Sequence, residues 1–169
     1  MCSSSCTEWG HFQGSCWSVL RSFSPRGGPP RETVRSIAAA ILVRNGQVLI
    51  CQRRANQDFP LKWEFPGGKI EPGEETTAAL RRELAEELGI EAEIGPEIAR
   101  YGYRYTGRPR ILLIFFKVDT FQGEPVNRVF EQIRWVPPQM LRGYDLLEAD
   151  FLVLDKILEQ VGYRGAGIS

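Results

Sequence analysis

The hydrophobic positions fall into two kinds of spacing. From Val34 the chain reads "VRSIAAAILVRNGQVLICQRR", two strand-length apolar runs joined by Asn45-Gly46, the pair that best tolerates the positive φ angles of a two-residue hairpin turn. Two further strands are predicted in "AEIGPEIARYGYRYTG" and "RPRILLIFFKVDTF", with a turn around Gly107, and a short one at 133–136. Between these groups Leu80, Leu84 and Leu88 recur every four residues, which predicts an amphipathic helix after Gly73 that stops at Gly89. A second helix is predicted over 146–160, with Leu147, Phe151, Leu154 and Leu158 as its apolar stripe. Strands and helices mix without regular β-α-β alternation, so the expected class is α+β, with helices packed on a mixed sheet.

With 169 residues and 43% hydrophobic content, the chain fits a single domain with a substantial core. The chain reads as one domain plus an appendage, with the domain beginning at Val34, where the strand pattern starts. Residues 1–33, rich in Ser, Gly, Pro and Arg and without sustained periodicity, are expected to form a disordered extension, and 162–169 a flexible tail. Lys and Arg number 21 against 21 Asp and Glu, so no global basic field draws the chain to nucleic acid or to an anionic membrane. No apolar run reaches bilayer length. Cys2, Cys6 and Cys16, with the lone His11, match no paired metal-binding spacing, and Cys51 reads as a small core residue. Such cysteine usage points to a reducing, cytoplasmic setting.

Glu83, Glu86 and Glu87 stand at i, i+3 and i+4 on the first helix and share one flank beside the leucine stripe. Like charges so placed repel. Arg81 and Arg82 neutralise only part of them, and a hard divalent cation such as Mg²⁺, which prefers oxygen ligands, is a natural counter-charge. The alternative is a solvated acidic face. In the loop before the helix, Gly67-Gly68 permits close backbone approach, and Pro72-Gly73 makes a turn that leads Glu74 toward the helix start.

Read whole, residues 68–90 follow G-x5-E-x7-R-E-U-x-E-E-x-G-U, with U a bulky aliphatic residue, from Gly68 through Glu74, Arg82, Glu83, Leu84, Glu86, Glu87 and Gly89 to Ile90. This resembles the signature of the Nudix hydrolase family at every fixed position. The resemblance implies a Nudix fold, an α/β/α sandwich around a mixed sheet, over residues 34–161, and metal-dependent hydrolysis of a nucleoside diphosphate linked to another moiety. Mg²⁺ is the implied cofactor, with Mn²⁺ as a substitute. It implies Glu83, Glu86 and Glu87 as metal ligands, with a backbone carbonyl from Gly67 or Gly68. Arg82 would orient the glutamates, Glu74 would brace the loop, and Glu86 or Glu87 would take the proton of the attacking water.

The context "CQRRANQDFPLKWEFPGGKIEPGEE" is similar to the MutT-type branch, which cleaves nucleoside triphosphates, 8-oxo-dGTP among them, to monophosphate and pyrophosphate in sanitising the nucleotide pool. Related pyrimidine nucleotide pyrophosphatases share the pattern, and a non-catalytic nucleotide-binding module is the alternative from another class. The resemblance assigns the nucleotide pocket to Arg53 or Arg54 and to Phe65, the last equally readable as a core aromatic. Asp150 falls where MutT-type enzymes carry an amide toward the base; a carboxylate there needs a proton to donate a hydrogen bond. Many relatives carry a further glutamate at the position of Val129; Glu131 is the candidate here if the loop is shifted. Tyr101, Tyr103 and Tyr105 share one strand face, as a stacking platform or as sheet pairing. The implied partner is a nucleoside triphosphate, on a monomer or homodimer, with no nucleic acid or membrane.

Overall fold

Asn45 and Gly46 both take positive φ, 51° and 74°, and turn strand β1 (Arg35–Arg44) into β2 (Gln47–Gln52). This computed structural model describes residues 34–161, so the expectations for 1–33, including Cys2, Cys6, Cys16 and His11, and for 162–169 lie outside the described residues. The remaining strands are β3 (Trp63–Glu64), β4 (Gly67–Lys69), β5 (Glu91–Glu93), β6 (Glu97–Tyr103), β7 (Ile111–Val118), β8 (Thr120–Gln122) and β9 (Gln132–Val136). Seven of the nine form one mixed sheet in the order β3-β2-β1-β7-β6, with β4 also pairing β1 and β9 pairing β2. The β1–β7 pair is parallel, from Arg35 opposite Ile111 to Leu42 opposite Val118, and the other pairs are antiparallel. β5 and β8 make a separate two-stranded ribbon.

The described residues form three helices, α1 (Thr76–Leu88), α2 (Glu148–Phe151) and α3 (Leu154–Gln160), with a 3-10 turn at Pro138–Gly143. Alternation along β1 sorts the core into two halves. Ala38, Ala40 and Leu42 pack with Leu80, Leu84 and Leu88 of α1. Ala39 and Ile41 pack with Ala149, Val153, Leu154 and Ile157 on the other face. This is the expected layering of helices on both sides of a mixed sheet.

Two sequence expectations need correction. The helix predicted over 146–160 breaks at Leu152-Val153 into α2 and α3. Its buried stripe runs through Leu146, Ala149, Asp150, Val153, Leu154 and Ile157, while Phe151 is 42% exposed and Leu147 and Leu158 are half-buried. The true stripe holds an acid and an alanine, so a reading by large apolar residues alone selected a neighbouring face. The diglycine, expected as a loop, is a strand on β1: a Cβ on Gly67 would lie 2.2 Å from the Ala38 carbonyl oxygen, so only glycine permits this pairing distance.

Candidate active site

Helix α1 is tied down at both ends. Glu75 caps its start by accepting from the Ala78 N–H at 2.9 Å, and Gly89, at φ 71°, ends it by donating to Ala85. Its last carbonyls are satisfied from far along the chain. The Arg128 side chain donates to Ala85 at 2.8 Å, and the Arg128 and Val126 N–H groups donate to Glu87 and Leu88. No local sequence signal marked that cap.

On the flank of α1, Arg82 is a hub. Its guanidinium donates to both carboxylate oxygens of Glu74 at 3.0 Å, to Glu83 at 2.9 Å and to the Lys69 carbonyl at 3.2 Å, with Glu86 at 3.6 Å. Glu74 in turn accepts from the Glu71 N–H at 3.1 Å, which braces the loop before the helix. These partners hold Glu74 below the usual carboxylate range and push Arg82 upward.

Glu83 lies against the backbone of Gly68, where a Cβ would come within 2.5 Å of both its carboxylate oxygens. The second glycine therefore makes room for an acid. Glu87 is more deeply placed and accepts from the Gly67 N–H at 3.1 Å. Burial, opposed by that hydrogen bond and joined by the negative charges of Glu83, Glu64 and Glu86, pushes its carboxyl up to about 8. Glu86 is exposed, with 60% of its side chain accessible.

The donors are thus hard oxygens carrying more negative charge than Arg82 offsets. Among the described residues no three acidic, histidine or cysteine side chains already close on one point, because Glu83 leans on Arg82 and Glu87 on Gly67. By the chemistry of the donors and by the space that Gly68 leaves for Glu83, the residues fit a hard divalent cation.

A cavity of about 330 Å³ reaches Gly67 and Lys69, the strand that leads into this acidic unit. Ile37, Ala39, Phe65, Leu113 and Leu147 give it apolar walls, and Asp150 is its buried acid. Phe65 is both core and wall: it is 4% exposed and meets Phe115 edge-on at 6.3 Å. Its N–H donates to Asp150 Oδ2 at 3.1 Å. Burial first, and then the charge of Glu64, push the Asp150 carboxyl up to about 8, against the opposing effects of the Phe65 N–H and Arg53. Raised in this way, the group favours its protonated form, in which it can donate.

Of the two arginines left open by the sequence, Arg53 lines the cavity, and Arg54 is an exposed loop residue outside it. Glu131 is also exposed and away from the cavity; its N–H donates to Gln52. Val129, which takes the place of the further glutamate, packs on the α1 side of the core.

The sequence reading missed Glu64, Asp58 and Arg108. Glu64 pairs with Arg53 at 2.7 Å, both largely buried, and its carboxyl is raised by burial despite that partner. The available signal was a charge between buried aromatics in "WEF". Asp58 and Arg108, 50 residues apart, form a two-bond pair at 2.6 and 2.9 Å. Arg108 also lies 4.7 Å over the Phe59 ring, and Phe59 meets Tyr105 at 4.5 Å. This contact latches the β2–β3 loop onto the tip of the β6–β7 hairpin at the cavity rim.

Fold and site together define a class, an α/β/α domain with an arginine-organised glutamate helix beside an acid-bearing apolar cavity. The chain belongs to the NUDIX family: residues 34–160 match the NUDIX domain. It is 38% identical over 122 residues to the CTP pyrophosphohydrolase of Escherichia coli (strain K12), covering 72% of this chain and 90% of that protein. It is 35% identical over 124 residues to the 8-oxo-dGTP diphosphatase of Haemophilus influenzae, with the same coverage of 72% and 90%. Among solved structures, the solution structure of the E. coli ORF135 protein superposes with a TM-score of 0.71 at 36% identity, over 83% of this chain and 99% of that one. Among the described residues no helix is long and apolar enough to cross a membrane.

Proposed function

We propose that the chain hydrolyses a nucleoside triphosphate to the monophosphate and pyrophosphate, with a divalent cation, Mg²⁺ or Mn²⁺, held by Glu83, Glu86 and Glu87 and a backbone carbonyl of Gly67 or Gly68. The observation that carries this reading is that Gly67, whose N–H holds Glu87, also lines the cavity that holds Asp150. The bound cation supplies neutralising charge for the phosphate oxygens and acidifies a water. Arg82 keeps Glu74, Glu83 and Glu86 in register, so the acids are in place before substrate arrives. Glu87 or Glu86 takes the proton of the attacking water.

Phe65, Ile37, Leu113 and Leu147 receive the base, Asp150 reads its polar edge, and Arg53, locked to Glu64, shapes the approach. The substrate reading that the "WEFPGGK" context supports is 8-oxo-dGTP. A second reading, CTP, is favoured by the similarity to the CTP pyrophosphohydrolase. Both need an acid or amide that pairs with a base edge.

The test is a panel of kcat/KM values with Mg²⁺ for 8-oxo-dGTP, dGTP, dCTP, CTP and ADP-ribose, with the released product identified. Pyrophosphate release with a preference for one triphosphate supports the proposal. Release of orthophosphate, or turnover of ADP-ribose alone, contradicts it, and inactivity on every substrate would favour a nucleotide-binding module.

A further inference from the structure

The polar groups that this reaction leaves unused gather on one face of β6. Tyr101 and Tyr103 alternate along the strand, and Tyr105 continues the spacing just beyond it. The Tyr101 hydroxyl donates to the Ala149 carbonyl at 2.6 Å, and the Tyr103 hydroxyl donates to the Glu148 carboxylate at 2.7 Å. The Ala149 N–H bears on the Tyr105 hydroxyl. Ala149 is therefore held at both its N–H and its carbonyl, one residue before Asp150.

The rings complete a circuit. Tyr101 stacks on Phe115 with centroids 5.6 Å apart, Phe115 meets Phe65 edge-on, and the Phe65 N–H returns to Asp150. Helix α2 has four residues, and Leu147 before it makes no side-chain cap. A helix that short has almost no stiffness of its own. The direction in which Asp150 points is thus decided by its neighbours: β3 on one side and the tyrosines on the other.

We propose that Tyr101 and Tyr103 are positioning residues for base selection, holding Glu148 and Ala149 through their hydroxyls so that Asp150 faces the cavity. Discrimination among bases is then set by β6, a strand that needs no contact with the base. This inference rests on the reading of Asp150 as the base-facing group.

The test uses the full chain with Mg²⁺ on 8-oxo-dGTP, dGTP, dCTP and CTP, with 2-deoxyribose 5′-triphosphate, which carries no base, as internal reference. Tyr101→Phe keeps the ring on Phe115 and deletes only the donor. The expected result is a KM for the preferred nucleotide raised about fivefold with kcat within about twofold, as for one lost, partly buried hydrogen bond. The kcat/KM ratio between best and worst bases should shrink by about the same factor, and by about tenfold in the Tyr101→Phe/Tyr103→Phe double variant. Turnover of the base-free triphosphate should match the unsubstituted protein.

An unchanged ratio overturns the proposal. So does a loss that falls equally on the base-free triphosphate, which would mark a general structural role. Asp150→Ala, measured alongside, separates the two readings. If it abolishes base discrimination while the tyrosine variants do not, the tyrosine assignment alone fails. If it leaves discrimination intact, the base-facing reading of Asp150 fails and the tyrosine assignment goes with it. Should the double variant not fold, Tyr101→Phe alone decides the question.

Discussion

The acidic unit and the cavity are built in opposite ways. Residues 67–89 form one continuous strand-loop-helix segment, and the contacts that set its acids fall within it: Arg82 to Glu74, Glu83 and Glu86, Glu83 to Gly68, Glu87 to Gly67. The cavity is drawn from at least five separated segments, including Ile37, Arg53, Phe65, Leu113 and Asp150. A unit made of neighbours keeps its geometry when the rest of the surface changes. A wall made of distant pieces can be retuned one piece at a time, and the relatives this chain resembles are named for different nucleotides, CTP and 8-oxo-dGTP.

If the comparison holds, substitutions in the acidic unit should strike kcat, and those in the cavity should strike KM and selectivity. The largest effect is expected for Glu87→Gln or Glu83→Gln, a loss in kcat on the order of 10³-fold with the fold retained, measured at saturating Mg²⁺ with thermal melting as control. Rates within a few-fold of the unsubstituted protein would refute the metal assignment.

Next come the adjacent glycines, which should part company. Gly68→Ala pushes the Glu83 carboxylate aside, so kcat should fall about 10²-fold, as for a misplaced catalytic group, with a small change in Tm because a carboxylate end can swing away. Gly67→Ala meets the Ala38 backbone at φ 141° and should instead lower Tm by several degrees or prevent folding. Equal Tm losses in both would show that Gly68 serves packing rather than Glu83.

A smaller effect is expected at the cavity rim. Arg108→Ala frees Asp58 and removes the cover of Phe59, a bulky residue held at φ 53°. KM should rise several-fold at nearly constant kcat, consistent with one lost rim contact. A fall in kcat without a change in KM would place the latch in the chemistry.

The last expectation concerns stability across pH rather than turnover. In the metal-free protein Asp150 keeps its proton up to about 8, whereas an unfolded aspartate loses it near pH 3.9, about its free value. Between those values the native state binds the extra proton, so stability falls as pH rises toward 8 and levels off above it. Asp150→Asn should flatten that decline without abolishing it, since Glu87 is raised in the same direction. Urea midpoints at pH 5 and pH 8 measure this; an unchanged difference between them would mean that Asp150 is ionised in the native state.

The legibility of each region follows from its construction. The Asn45-Gly46 hairpin, the leucine stripe and the Gly89 stop of α1 lie within a few residues of their causes, and all three stand as read. The closing helix did not, because its buried face includes Ala149 and Asp150 and it breaks at Leu152-Val153. Arg53 could not be told from Arg54, nor Asp150 recognised as buried, from residue order. Each depends on which side chain meets a strand arriving from elsewhere.

By itself the sequence determined the local geometry of the acidic unit: the helix that spaces three glutamates on one flank, the arginine set among them and the glycines before them. Only the tertiary structure decided the cavity, since Phe65 and Asp150, 85 residues apart, become partners through the docking of α2 against β3 and the tyrosines of β6. Helical spacing is a property of adjacent residues. Burial, which raises Asp150 and Glu87 alike, is a property of everything packed around them.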